Sequence, residues 1–152
     1  MGFDGIYSMY RRNAETQKYE KLSLYDKNGK ELYDLFPSRD GMLNQLLLGY
    51  NRHGFDFDAI GANRGMPDWY ADQDSEGTYY DYLELRGWAQ GDACNHKDWM
   101  AMEELSDDYI MSEQPKRNAL KDFMRLVNIY LELYGLWYPK PGEIIIVCEM
   151  SY

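Results

Sequence analysis

The side chains with the clearest capacity for chemistry are a cysteine and a histidine two residues apart, Cys94 and His96. A thiolate and an imidazole are both ligands that zinc accepts, and the carboxylate of Asp4 is a candidate third ligand. Further ligands would have to come from a small remaining group: His53, Asp56 and Cys148. A lone Cys-x-His without a second pair is also ordinary for a loop before a helix, so both interpretations stay open here.

Paired carboxylates form the second group of candidates. Asp56 with Asp58, and Asp72 with Asp74, are oxygen ligands of the kind that hard cations prefer, but neither pair matches the twelve-residue calcium loop. A solvated acidic loop is the interpretation we favour for both. The chain also lacks a Gly-x-Ser-x-Gly elbow, a glycine-rich phosphate loop and a His-Glu-x-x-His pair. The sequence therefore predicts a protein that is not an enzyme.

Negative charge is concentrated in the middle of the chain. Residues 56–113 hold 15 acidic and three basic residues, a net of −12, whereas each flank carries +1. Aromatic side chains are interleaved with the acidic ones: Trp69, Tyr70, Tyr79, Tyr80, Tyr82, Trp88, Trp99 and Tyr109. Carboxylates can attract a basic protein and the rings can hold it by packing. The alternative is that the acidic surface serves only solubility.

Composition narrows the classes further. A length of 152 residues is typical of one domain, and an aromatic content of 16% favours a packed globule. A net charge of −10 argues against direct binding of nucleic acid or of an anionic membrane, because the phosphates would repel it. The absence of a signal-like or membrane-spanning run and the presence of only two cysteines predict a cytoplasmic protein.

The N-terminal region reads as a β-hairpin. Residues 3–12 and 19–26 combine β-forming residues with alternating polarity, and the polar residues 13–18 between them suit the connection. The Asn28-Gly29 pair predicts a turn, because glycine adopts a positive φ at little cost. Residues 31–36 could then form a third short strand.

Two later segments also predict strands. Residues 78–86 alternate in polarity, and Asp81, which falls on their apolar side, needs a polar partner or a position at the edge of the sheet. Residues 143–150 contain an unbroken apolar run from Ile144 to Cys148, which is typical of a central strand buried on both faces. We expect the N-terminal strands to be its neighbours.

Helices are indicated in three places. Apolar residues recur at helical spacing behind a start signal at 37–40, and Asp98 can cap a second helix that continues to about Tyr109. Residues 118–134 carry a continuous apolar stripe, and Gly135 stands where a terminating glycine belongs. The sequence therefore predicts one α+β domain over residues 1–152, in which a small, mostly antiparallel sheet packs against three helices.

Several short blocks resemble a family of small phage and bacterial proteins that has no established activity. The opening Met1-Gly2-Phe3-Asp4-Gly5-Ile6 is similar to the family's Met-Gly-Cys-Asp-Ile-His. Residues 38–49, 64–68 and 96–105 resemble its Ser-Arg-Asn helix block, its Arg-Gly-Leu-Pro block and its Ser-Trp-Leu block, in the same order. Phe3 and Ile6 replace the cysteine and histidine of that opening, which puts an ancestral metal site in doubt. The resemblance implies an origin on a phage.

Taken together, these features predict an acidic phage inhibitor that mimics nucleic acid. It would act in the cytoplasm of the infected host by binding a basic, nucleic-acid-handling defence protein, in the manner of an anti-CRISPR protein on a CRISPR effector nuclease. The expected contact residues are Asp68, Trp69, Asp72, Asp74, Glu76, Asp81, Glu84, Glu103, Glu104, Asp107 and Asp108. This function requires no cofactor. The alternative is a metal-dependent accessory protein or enzyme that holds zinc through Asp4, Cys94 and His96.

Overall fold

Four antiparallel strands form one sheet in the order β2-β1-β4-β3. The computed structural model of the chain describes residues 4–25, 27–31, 36–38, 40–49, 64–90 and 113–151. The strands are β1 (Asp4–Arg12), β2 (Tyr19–Lys21), β3 (Gly77–Asp81) and β4 (Ile144–Ser151). The described helices are α1 (Gly41–Leu48), α2 (Tyr82–Gln90) and α3 (Glu113–Leu133). The prediction of an α+β fold with a mostly antiparallel sheet and three helices is confirmed.

The last strand, β4, lies at the centre of the sheet. It pairs with β1 on one side, where Tyr7 is opposite Cys148, and with β3 on the other, where Tyr80 is opposite Ile146. All five residues of the Ile144–Cys148 run are buried. The predicted central strand, with the N-terminal hairpin as a neighbour, is therefore confirmed, and its apolar run is explained by burial on both faces.

The two faces of the sheet differ in what covers them. Side chains alternate along each strand, and Met9, Ile146 and Tyr80 point into one hydrophobic core with residues of all three helices. We call the opposite side the outer face; Tyr10, Ile145 and Glu149 lie on it by the same alternation. The described helices therefore form a layer on the core side of the sheet, as the sequence predicted.

Local signals explain where the first and last helices begin and end. The Oδ1 atom of Asp40 accepts a hydrogen bond from the backbone amide of Leu43 at 3.1 Å, so Asp40 caps α1 as predicted. At the end of α3, Gly135 has a φ of 72° and its amide bonds the carbonyl of Glu132, while the amide of Leu136 bonds the carbonyl of Leu131. This is a Schellman motif, and it confirms the predicted terminating glycine.

The prediction of one strand over residues 78–86 is wrong in its second half. The chain leaves the sheet after Asp81 and continues directly as α2. Asp81 Oδ1 accepts a hydrogen bond from the amide of Leu83 at 3.0 Å, and the spacing of Tyr82, Leu85 and Ala89 places these three buried residues on one helical face. The sequence also predicted that Asp81 needs a polar partner or a position at the edge of the sheet. This prediction is confirmed, because Asp81 has polar partners and lies in the edge strand β3.

The hairpin prediction is largely confirmed, but the second strand is shorter than expected. It covers Tyr19–Lys21 only, and Tyr25 then forms an isolated bridge with Glu31 around Gly29, whose φ is 79°. Residues 32–35 of the predicted third strand lie outside the described residues, as do residues 52–63 and the helix predicted after Asp98. In the described part of the chain, no helix combines the length and the hydropathy needed to span a membrane.

Candidate protein-binding surface

The segment that leads into β3 carries the exposed carboxylates of the described middle region. We call residues 64–76 the acidic loop; it begins at Arg64 and ends where Gly77 enters the sheet. Asp68, Asp72, Asp74 and Glu76 are all exposed, and the ring of Trp69 is 36% exposed. Five of the eleven predicted contact residues therefore lie together on one loop.

Aromatic contacts fasten this loop to the outer face of the sheet. The Trp69 ring stacks on Tyr19 with 4.4 Å between centroids and 15° between planes. The same ring lies 4.9 Å from Tyr10 in a tilted contact. Such ring pairs contribute about 0.5–1.5 kcal/mol each beyond the area they bury. Trp69 is thus held by one part of its ring while another part remains in contact with solvent.

Hydrogen bonds to β4 provide a second attachment. The hydroxyl of Tyr70 donates to Glu149 Oε2 at 2.9 Å, and Ser75 Oγ lies 2.7 Å from Glu149 Oε1 and 2.8 Å from Asp72 Oδ2. Burial, followed by the hydrogen bond to Glu149 and the negative charge of that carboxylate, raises the pKa of Tyr70. The phenol therefore remains a donor, and Glu149 connects the middle and the C-terminal part of the loop to the sheet.

The loop also fixes its own backbone. The side-chain amide of Gln73 donates to the carbonyls of Pro67 and Tyr70, each at 2.7 Å. Asp72 Oδ1 accepts a hydrogen bond from the amide of Asp74 at 3.1 Å, which is the local turn expected of an aspartate at this position. A surface held in one conformation before it meets a partner loses less entropy on binding. The acidic loop is preorganised in this sense.

Two of the predicted contact residues serve the fold instead. Glu84 forms a forked ion pair with Arg64, in which Arg64 Nη1 lies 2.6 Å from Glu84 Oε1. The hydrogen bond with Glu84 raises the pKa of Arg64, and the guanidinium also lies over the Tyr80 ring. Asp81 Oδ2 accepts a hydrogen bond from the amide of Gly142 at 2.7 Å. Because both carboxylates are already bonded internally, we remove them from the candidate surface.

The remaining predicted residues are four contact residues and the three candidate zinc ligands. Glu103, Glu104, Asp107, Asp108, Cys94 and His96 lie outside the described residues. Asp4 stands at the start of β1. Among the residues that the structure describes, no three His, Cys, Asp or Glu side chains are grouped so that they could hold a metal ion. Zinc binding stays a prediction, which elemental analysis of protein purified without chelator would test.

Cys148, which was a further candidate ligand, is a core residue. It is fully buried on the helix side of the sheet, and burial raises the pKa of its thiol. A zinc ligand must be the thiolate, which this environment disfavours. Cys148 therefore belongs to the packing of β4.

The residues that position the acidic loop were not identified from the sequence. Tyr10 and Tyr19 lie on the outer face, and Glu149 lies beside them near the end of β4. One signal was available, because strand alternation places Tyr10 on the face opposite the buried Met9. The identity of their partner, Trp69, depends on a contact across 50 residues of chain that no local pattern reveals.

Comparisons with protein-family models, with curated proteins and with solved structures found no match to this chain.

Proposed function

We propose that the protein is a phage-encoded, non-enzymatic inhibitor whose acidic loop occupies the nucleic-acid-binding surface of a basic host defence protein. A CRISPR effector nuclease is the most specific partner that we propose. The observation that carries this proposal is the presence of four exposed carboxylates and one partly exposed tryptophan on a single fixed loop. The phage origin comes from the resemblance of the short sequence blocks.

Charge explains why such a partner would be attracted. Duplex DNA carries one negative charge per about 1.7 Å of its axis, and proteins that bind it line the site with Lys and Arg. Carboxylates on a loop can pair with the same cations and increase the rate of encounter. The acidic loop has Arg64 as its basic residue, and that side chain is paired with Glu84. The side chains of Asp68 and Asp74 are exposed, so that they can meet the cations of a partner.

The tryptophan would give the contact its short-range part. Trp is enriched among the residues that dominate binding energy, because a large ring loses much water-accessible area on contact. Trp69 is already oriented by Tyr10 and Tyr19, so that little rotational freedom would be lost when a partner covers its exposed part. The carboxylates would then increase the rate of encounter and orient the two proteins, and the covered ring would slow their dissociation.

Charge reversal on the loop tests the proposal. Asp68→Lys with Asp74→Lys changes two exposed carboxylates whose side chains do not hold the turn, whereas Asp72 is kept because it does. We expect the affinity for the captured host protein to fall at least about tenfold, which is about 1.4 kcal/mol. The thermal midpoint should change little.

The matched control is Glu15→Lys with Glu20→Lys, which gives the same change in net charge on the exposed β-hairpin. The binding assay is affinity capture from a host lysate at low and at raised salt, followed by competition of the captured protein with DNA. Salt should weaken capture, because it screens exposed charges. Equal capture by the loop variant and the wild type, or binding that DNA does not displace, would refute the proposal.

A further inference from the structure

A groove between α2 and α3 has the opposite electrostatic character to the acidic loop. It has a volume of about 560 Å³, and Ala89 and Met124 of the hydrophobic core line its base. Three basic residues surround it, namely Arg86, Lys121 and Arg125. Among the lining residues Glu132 is the acidic one, so the groove is basic in a chain whose net charge is −10.

The cationic side chains of the groove are accessible. Arg86, Lys121 and Arg125 are all exposed, and Ile129 beside them is 45% exposed. Arg86 is oriented by the Tyr82 ring, whose centroid lies 6.0 Å from the guanidinium carbon. Arg125 lies 3.7 Å from Asp122, but both side chains are more than two-thirds exposed, so this pair is weak and can exchange partners. Cations above an apolar base can bind a segment that carries carboxylates and a large apolar side chain, because the charges pair and the apolar surfaces pack.

The acidic loop is a segment of that composition. Its first residue, Arg64, pairs with Glu84 of α2, but its rings lie on the other side of the sheet. Its rings pack on Tyr10 and Tyr19 of the outer face, whereas α2 and α3 cover the helix side of the sheet. A loop whose rings are fastened to the outer face does not line the groove of its own chain. It can reach the groove of a second copy.

We propose that the groove between α2 and α3 binds the acidic loop of a second copy of this chain, so that the copies associate head to tail. Asp68 and Asp74 of one copy would pair with Lys121 and Arg125 of the next, and Trp69 would lie near the apolar base. Such a contact joins two different surfaces, so an open assembly retains one free groove at one end and one free loop at the other unless a ring closes.

The association would also regulate the loop. Carboxylates that are paired with a neighbouring copy are not available to a basic partner, so self-association and partner binding would compete. The self-contact does not depend on the partner proposed above, because the groove takes no part in that interaction. The two proposals can therefore fail separately.

Complementary charge reversal is the decisive experiment. The groove variant is Lys121→Glu with Arg125→Glu, and the loop variant is Asp68→Lys with Asp74→Lys. Each reversal changes the charge by two units, so the groove variant has a net charge of −14 and the loop variant −6. Their mixture has the same mean charge as the wild type, which removes the effect of total charge from the comparison.

Sedimentation velocity over a range of concentrations gives the readout. We expect the wild type to self-associate, each variant alone to lose at least about tenfold in association constant, and the mixture to regain association. The matched control is Lys18→Glu with Lys27→Glu, which also gives −14 but lies away from the groove, and it should associate like the wild type. Circular dichroism and thermal midpoints would confirm that every variant is folded.

Three results would overturn the proposal. The first is a wild type that stays monomeric up to about millimolar concentration, which would leave the groove to an acidic segment of another protein. The second is a groove variant that associates as strongly as the wild type. The third is a mixture that associates no better than its separate components. In contrast, loss of self-association with retained capture of a basic host protein by the groove variant would support both proposals.

Discussion

The two faces of the sheet are built on different physical principles. On the helix side, Ile144, Ile146 and Cys148 pack with three helices into a continuous hydrophobic core. On the outer face, Ile145 and Val147 are also buried, but the described cover is a loop fastened by aromatic rings and by the carboxylate of Glu149. The first arrangement stabilises the fold through buried area. The second places exposed charge at a fixed position.

This difference teaches how an acidic surface can be made rigid without a helix or a strand of its own. Carboxylates that repel one another would favour an extended, mobile segment. In the acidic loop, Trp69 and Tyr70 stand between Asp68 and Asp72 and contact the sheet, while the two carboxylates are exposed. We expect perturbations of the helix side to unfold the protein and perturbations of the outer face to loosen the loop.

The largest effect should come from the centre of the core. Phe123 is 1% exposed and its ring contacts Tyr7 and Phe36. Phe123→Ala should lower the free energy of unfolding by about 3–5 kcal/mol, because it removes buried area and leaves a cavity. Urea denaturation followed by circular dichroism measures this change. A loss below about 1 kcal/mol would contradict a core that depends on this ring.

A smaller effect is expected where the loop meets the sheet. Trp69→Ala should lower the free energy of unfolding by about 1–2 kcal/mol, since the ring is partly exposed but its removal eliminates two aromatic contacts with the sheet. Amide hydrogen exchange should increase mainly in residues 64–76, and not in β4. The control is Trp137→Ala, at a ring that is 63% exposed, which should change stability by less than about 0.5 kcal/mol. Equal losses at Trp69 and Phe123 would remove the distinction between the two faces.

The smallest effect concerns the response to alkaline pH. The pKa of Tyr70 is raised above its ordinary value near 10, so the folded protein retains a proton that the unfolded chain releases. The resulting stabilisation is complete below pH 10 and is lost as the pH rises toward the folded-state pKa. Tyr70→Phe should therefore reduce the steepness with which stability falls above pH 10.

The matched control for this titration is Tyr138→Phe, because the Tyr138 ring is 90% exposed. Unfolding free energies of the wild type and both variants, measured in urea between pH 8 and 11, provide the comparison. Other tyrosines with raised pKa values, such as Tyr7, are present in all three proteins, so their contributions to the pH dependence cancel in the comparison. Identical pH profiles for the wild type and Tyr70→Phe would show that the bond to Glu149 does not hold the loop.

Local patterns predicted the elements that are themselves local. The apolar stripe of α3, its terminating glycine, the Asp40 cap and the turn at Gly29 all depend on residues within a few positions of one another. The apolar run of β4 similarly predicted its central position. The strand predicted through residue 86 failed because alternation and helical spacing both fit the residues after Asp81, and the cap at Asp81 decided between them.

The candidate surface was predicted only in its composition. The sequence by itself determined that the acidic charge and the aromatic rings occur in the same segment. Only the tertiary structure decided that the carboxylates of Glu84 and Asp81 are bonded internally. It also decided that Trp69 stacks on Tyr19, and that the basic groove lies on the opposite side of the sheet from that ring. The physical reason is that charge and aromatic content are properties of residues, whereas their neutralisation or exposure depends on partners far away in the chain.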